Sequence, residues 1–119
     1  MFENVVVGAA DTEGGARAVS WALEVARTSG GTVHLVTAFR REPVEAMPAR
    51  FRELAARTSV RVRTHPERAD PVEAITRVAA EEGADLIVLG ARAANQGSRR
   101  LSSVPQGVMD SVECAVLVV

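Results

Sequence analysis

The chain has 119 residues, 47% of them apolar and 24% charged, with a formal net charge of −1. That length and balance suit one globular domain over residues 1–119 with a core of its own. The near-neutral charge gives no pull toward nucleic acid or an anionic membrane surface, a lone cysteine (Cys114) excludes an intrachain disulfide, and the absence of lysine excludes any chemistry that needs one.

Residues 3–9, with Val5-Val6-Val7 closed by Gly8, read as a buried strand. Residues 14–28 carry Val19, Ala22, Leu23 and Ala26 at helical spacing, and Gly30-Gly31 supply the C-terminal stop. Trp21 lies off that stripe and is expected to pack under a neighbouring loop or helix. Residues 32–38 form a second β-rich run, in which His34 is expected beside the core with one satisfied hydrogen bond. Residues 44–58 put Met47, Phe51, Leu54 and Ala55 on one face of an amphipathic helix. Residues 59–64 alternate, with Val60, Val62 and Thr64 opposite Arg61 and Arg63, which suits an edge strand that His65 ends in solvent.

Asp70-Pro71-Val72-Glu73 is a strong helix start, with Asp70 as cap, Pro71 in the first turn and Glu73 completing a capping box. That helix runs to Gly83, and Ala84 to Gly90 reads as a central strand. Residues 91–102 are polar and aperiodic and are expected to form a closed or disordered loop. Ser103-Val104-Pro105-Gln106 is a second capping box, opening a helix to about Ser111, and Cys114 to Val119 is a last apolar strand. The start of the chain has no signal-like segment and no run approaches the roughly 20 apolar residues of a membrane span, so a cytoplasmic protein is expected.

Five strands separated by helices imply right-handed crossovers and a parallel sheet covered on both faces, an α/β fold of three layers. Ligands of such sheets bind beyond the carboxyl ends of the strands, where the strand order switches. The loops at residues 9–13 and 91–102 are therefore the places for a ligand. A phosphoacceptor receiver domain is excluded, because it needs a lysine and an acidic residue where His65-Pro66 stands. A dinucleotide-binding enzyme is excluded because Gly8-Ala9-Ala10-Asp11-Thr12-Glu13-Gly14 lacks the Gly-x-Gly-x-x-Gly spacing. His34, His65 and Cys114 share no ligand spacing, so no metal is expected, and no triad suggests catalysis.

Four segments together resemble the universal stress protein family. They are Val5-Val6-Val7-Gly8 leading into Ala18 to Ala26, Ala69 to Ile75, Ala84 to Arg92, and Cys114 to Val119. They span nearly the whole chain in the family's order, although the stretch between the second strand and second helix is shorter than usual. The resemblance implies an open, Rossmann-like five-stranded sheet of the adenine nucleotide alpha-hydrolase-like kind, in the order 3-2-1-4-5. It also implies a stress-response homodimer and, in many members, a bound ATP or AMP.

The nucleotide-binding members carry Asp, Gly and Ser after the first strand. After the fourth they carry Gly, two residues, Gly, nine residues, and Gly with Ser or Thr. Glycine there lets backbone N–H groups approach the phosphates, and a helix N-terminus favours their charge. Here the Asp position falls on Ala10, with Asp11 and Thr12 next; the glycine positions fall on Gly90, Ala93 and Ser102, with Ser103 adjacent and the spacing one residue short. The nucleotide positions implied are thus Ala10, Asp11, Ala38, Gly90, Ala93, Ser102 and Ser103. Asp11 takes either the missing Asp's role or a helix cap, and an anion would meet Ser102 and Ser103 first.

Two readings stay open. The first is a stress-response or signalling dimer that binds no ATP in the usual way and needs no cofactor. The second is an adenine-nucleotide binder with a shortened phosphate loop, with or without weak ATP hydrolysis. In both, the apolar last strand, through Cys114, Val116 and Val118, is the expected homodimer interface, since an apolar edge is a liability that proteins cover.

Overall fold

The computed structural model describes residues 1–41, 47–91 and 103–119. The elements in chain order are β1 (Asn4–Gly8), α1 (Glu13–Ser29), β2 (Thr32–Phe39), α2 (Ala49–Arg57), β3 (Arg61–Arg68), α3 (Pro71–Glu82), β4 (Leu86–Leu89), α4 (Ser103–Met109) and β5 (Ala115–Val118). The strands form one parallel sheet in the order β3-β2-β1-β4-β5, as expected from the resemblance.

Period-two alternation divides the apolar side chains between two cores. Val5, Val7, Val33, Leu35 and Val88 meet Ala18, Val19, Ala22, Ala26 and Phe51 from α1 and α2. Val6, Val36, Ile87 and Leu89 meet Ala74, Ile75, Val78 and Val108 from α3 and α4. Val5 to Val7 and Leu86 to Leu89 are therefore buried on both faces, which is why they are unbroken apolar runs. Complete burial of each such side chain stabilises by about 1.5–3 kcal/mol.

The helix ends follow the local chemistry. Gly30 and Gly83 close α1 and α3 with φ of 74° and 62°, the left-handed region a Cβ disfavours. Asp70 Oδ1 accepts from the Glu73 N–H at 3.1 Å, as expected of its cap. Only half of that capping box forms, because the Glu73 carboxylate pairs with Arg77 one turn on. The Gln106 side chain likewise reaches forward, donating to Asp110 at 2.9 Å.

Three boundaries differ from the sequence expectation. The second helix begins at Ala49, after Pro48, rather than at residue 44; residues 42–46 lie outside the described residues. The edge strand β3 runs to Arg68, so His65 lies mid-strand, half-buried and not in solvent. Pro66 is tolerated there because an edge strand has no neighbour asking for its missing N–H. Trp21 is 51% exposed rather than covered. Among the described residues no helix is long and apolar enough to cross a membrane.

Candidate functional site

The central strands end in small residues, and this makes room. β1 ends at Gly8 and continues through Ala9 and Ala10 into a tight turn, in which the Thr12 N–H donates to the Ala10 carbonyl at 2.8 Å. The Ala9 N–H donates to the Val36 carbonyl at 2.8 Å and ties this turn to β2. Thr12 then caps α1, its Oγ1 accepting from the Gly15 N–H at 3.0 Å.

Two glycines set the first turn of α1 against its surroundings. A Cβ on Gly15 would lie 1.8 Å from the Ala10 carbonyl oxygen, so no side chain fits. A Cβ on Gly90 would stand 2.9 Å from the Gly14 carbonyl, so Gly90 serves close approach of β4's end to α1. That is a packing reason for Gly90, independent of any phosphate.

A cavity of about 420 Å³ lies in front of these strand ends. Its walls are Val36, Thr37 and Ala38 of β2, Ile75 of α3, Leu89 of β4 and Val104 of α4. Its mouth is framed by Ala10 to Thr12, the first residues of α1, Pro48 and Pro71. This is the switch point where β1 has β2 on one side and β4 on the other, each led to by a crossover of opposite direction. Volume and apolar lining fit the flat, mostly apolar part of a small organic ligand. The α1 N-terminus adds a positive dipole end at the mouth; among the described residues Thr12 caps Gly15 N–H and leaves those of Glu13 and Gly14 unpaired.

The structure brings Ala10, Asp11, Ala38 and Gly90 together on this one cavity. Ser103 opens α4, exposed, with its neighbour Val104 in the cavity wall. Ala93 and Ser102, and the loop 92–102 as a whole, lie outside the described residues. Asp11 does not cap α1: its Oδ1 meets Arg50 Nε at 3.0 Å, and Arg50 Nη1 also donates to the Thr12 carbonyl at 3.3 Å. The carboxylate nearest the family's Asp position is thus turned to a cation of α2.

Residue reasoning missed Gly14, Gly15, Val36, Ile75 and Pro48 as parts of the cavity. The Gly14-Gly15 pair just after a capping Thr was the available signal. Val36 and Ile75 carry no local mark, because only the strand order brings them to β1.

A second cluster was also missed. His34 is buried, and its Nδ1 lies 2.9 Å from His65 Nε2. Its Nε2 lies 3.0 Å from Asn4 Oδ1, so both ring nitrogens are engaged rather than the single one expected. Burial, and then the neighbouring His65, hold the His34 imidazolium pKa below its usual value, so the ring is kept neutral. At the other edge of the sheet, burial pushes the Cys114 thiol up, which fits a packing role.

The model of the universal stress protein family matches residues 1–58 and 45–119 of this chain. No curated protein sequence matches it significantly. Among solved structures, a universal stress protein in complex with cAMP is 30% identical, with a TM-score of 0.82, over 99% of this chain and 96% of its own. The universal stress protein UspA from Lactobacillus plantarum is 21% identical with a TM-score of 0.79, over 98% of this chain and 97% of its own. A universal stress protein family protein from Arabidopsis thaliana with AMP bound is 19% identical with a TM-score of 0.72, over 98% and 90%. The last two speak for the fold alone.

Proposed function

The chain belongs to the universal stress protein family, and from that premise we propose a homodimeric stress-response module that binds an adenine mononucleotide and does not cradle ATP in the family's usual way. The observation that carries this reading is the cavity of about 420 Å³ at the switch point. Its apolar walls at Val36, Ala38, Ile75, Leu89 and Val104 suit a base and ribose. The relative that is 30% identical was solved with cAMP, a ligand of this size and class.

The substitutions run against a triphosphate. Ala93 and Ser102 stand where glycines would let backbone donors close on the phosphates, and the spacing between them is one residue short. A single phosphate needs fewer donors, and the α1 N-terminus and Ser103 are the candidates. Ala10 offers no carboxylate to the base, and Asp11 faces Arg50, so recognition rests on shape. The role is binding rather than catalysis: among the described residues Asp11 is the only ionisable side chain lining the cavity.

The dimer forms along β5, in the cytoplasm, with residues 1–119 acting as one domain. Cys114, Val116 and Val118 are only half-buried, and β5 pairs on one side alone. Charge guards the other edge, where β3 carries Arg61, Arg63, Glu67 and Arg68 among its eight residues. Sedimentation of Val116→Lys should give a monomer where the parent chain gives a dimer.

The nucleotide reading is tested by thermal unfolding with AMP, cAMP and Mg-ATP. A mononucleotide at 100 times its Kd should add about 2.7 kcal/mol of stability. Mg-ATP should add less at the same concentration. Absence of any shift with millimolar AMP and cAMP would overturn the reading and leave a dimer module without a nucleotide. A larger shift with Mg-ATP would restore the triphosphate cradle.

A further inference from the structure

We propose a binding site for a divalent transition-metal ion of the zinc class on the β2–β3 flank, built from His34, His65 and Glu82. The strands bring the two histidines together: His34 is in register with Arg63 and Val36 with His65, so both rings stand on the α3 face of the sheet, one step apart. Glu82 ends α3 above them. One nitrogen from each ring and a Glu82 carboxylate oxygen lie within 4.8 Å of one another.

Two imidazoles and a carboxylate are a donor set that suits zinc and its neighbours, with a fourth position left to water. Zinc–nitrogen bonds of about 2.0–2.1 Å at a tetrahedral angle hold two nitrogens roughly 3.3 Å apart. The His34 Nδ1 to His65 Nε2 separation is 2.9 Å, so a few tenths of an ångström of opening suffice. With Asn4 Oδ1 accepting from His34 Nε2–H, the His34 Nδ1 lone pair faces inward. That contact is the outer hydrogen bond that fixes tautomer and orientation in histidine metal sites. In the metal-free chain His65 Nε2–H donates to His34 Nδ1; on binding, that proton moves to His65 Nδ1, and both inward nitrogens carry lone pairs.

Access and charge agree with this arrangement. His65 and Glu82 are half-buried on an edge strand and a helix end, which opens a path for the ion, while His34 is anchored in the core. Arg63 Nη1 reaches Glu82 Oε2 at 3.4 Å, a loose and exposed contact that occupies one of two carboxylate oxygens. The site is separate from the cavity, whose lining shares no residue with it.

The test is calorimetric titration of tag-free, chelator-treated full chain with Zn²⁺, and with Co²⁺ read by its visible absorption. The expected result is one ion per chain, with a tetrahedral cobalt spectrum carrying nitrogen and oxygen ligands. His65→Ala and Glu82→Gln should each weaken Zn²⁺ by about tenfold or more, and Cys114→Ser should leave it unchanged. Circular dichroism confirms that each variant is folded; Glu82→Gln changes one rim group and keeps the test valid where His65→Ala does not fold. No stoichiometric uptake, uptake indifferent to both variants, or uptake lost with Cys114→Ser would overturn the proposal.

Discussion

The carboxyl end of β1 and the β2–β3 flank sit on one sheet but handle polar groups in opposite ways. On the flank the polar atoms belong to side chains, and each finds a partner: His34 uses both ring nitrogens, and among the described residues no buried side-chain nitrogen or oxygen is left without one. At the β1 end the side chains are small or absent, and the polar atoms belong to the backbone of the turn and of α1. The difference teaches where each kind of ligand fits. Side-chain donors at fixed separation select an ion; backbone donors at the mouth of an apolar cavity select the shape of an organic molecule. It also implies that the two regions fail differently, one by steric conflict and the other by a stranded hydrogen-bonding group.

The sharpest contrast is between neighbouring glycines. Gly15→Val places side-chain atoms on the Ala10 carbonyl and should cost about 3 kcal/mol in urea unfolding, displacing the cavity mouth with it. Gly14→Ala meets nothing nearer than 3.8 Å and should cost less than about 0.5 kcal/mol. Equal costs would break the steric account of this end.

On the flank, His65→Ala removes the partner of a buried nitrogen without adding bulk. The metal-free variant should lose about 1–2 kcal/mol, the cost of leaving His34 Nδ1 unsatisfied. A neutral outcome would mean that water replaces the His65 contact. Back at the β1 end, Thr12→Ala deletes the α1 cap and should cost about 1 kcal/mol by the same denaturant measurement. Arg50→Ala releases Asp11, but both side chains are roughly half-exposed, so the stability change should stay below about 0.5 kcal/mol.

The elements were legible because their signals were local and consistent, whereas the strand order followed from the family resemblance. Val5-Val6-Val7 and Leu86 to Leu89 are uninterrupted apolar runs, as strands buried on both faces must be. Asp70, Gly30 and Gly83 mark helix ends by capping and left-handed geometry, which depend on a few neighbouring residues. The length of β3 was not legible, because Pro66 reads locally as a stop and only its edge position makes it harmless. Part of the cavity was legible, through the turn that follows β1 and through Ala38 and Gly90. The wall residues Val36 and Ile75 were not, since nothing in their own segments distinguishes them from core. The histidine pair was invisible for a similar reason: 31 residues separate His34 from His65, and only the parallel register of β2 and β3 sets them side by side.

The central claim is that the cavity at the switch point holds an adenine mononucleotide. It is tested most directly by calorimetric titration of AMP into the parent chain and into Ala38→Leu, whose added atoms enter the cavity from its β2 wall. The account predicts saturable binding to the parent chain and a loss of about tenfold or more in the variant, roughly 1.4 kcal/mol, with its fold unchanged. Equal affinity in both proteins, or no binding to either, would contradict it.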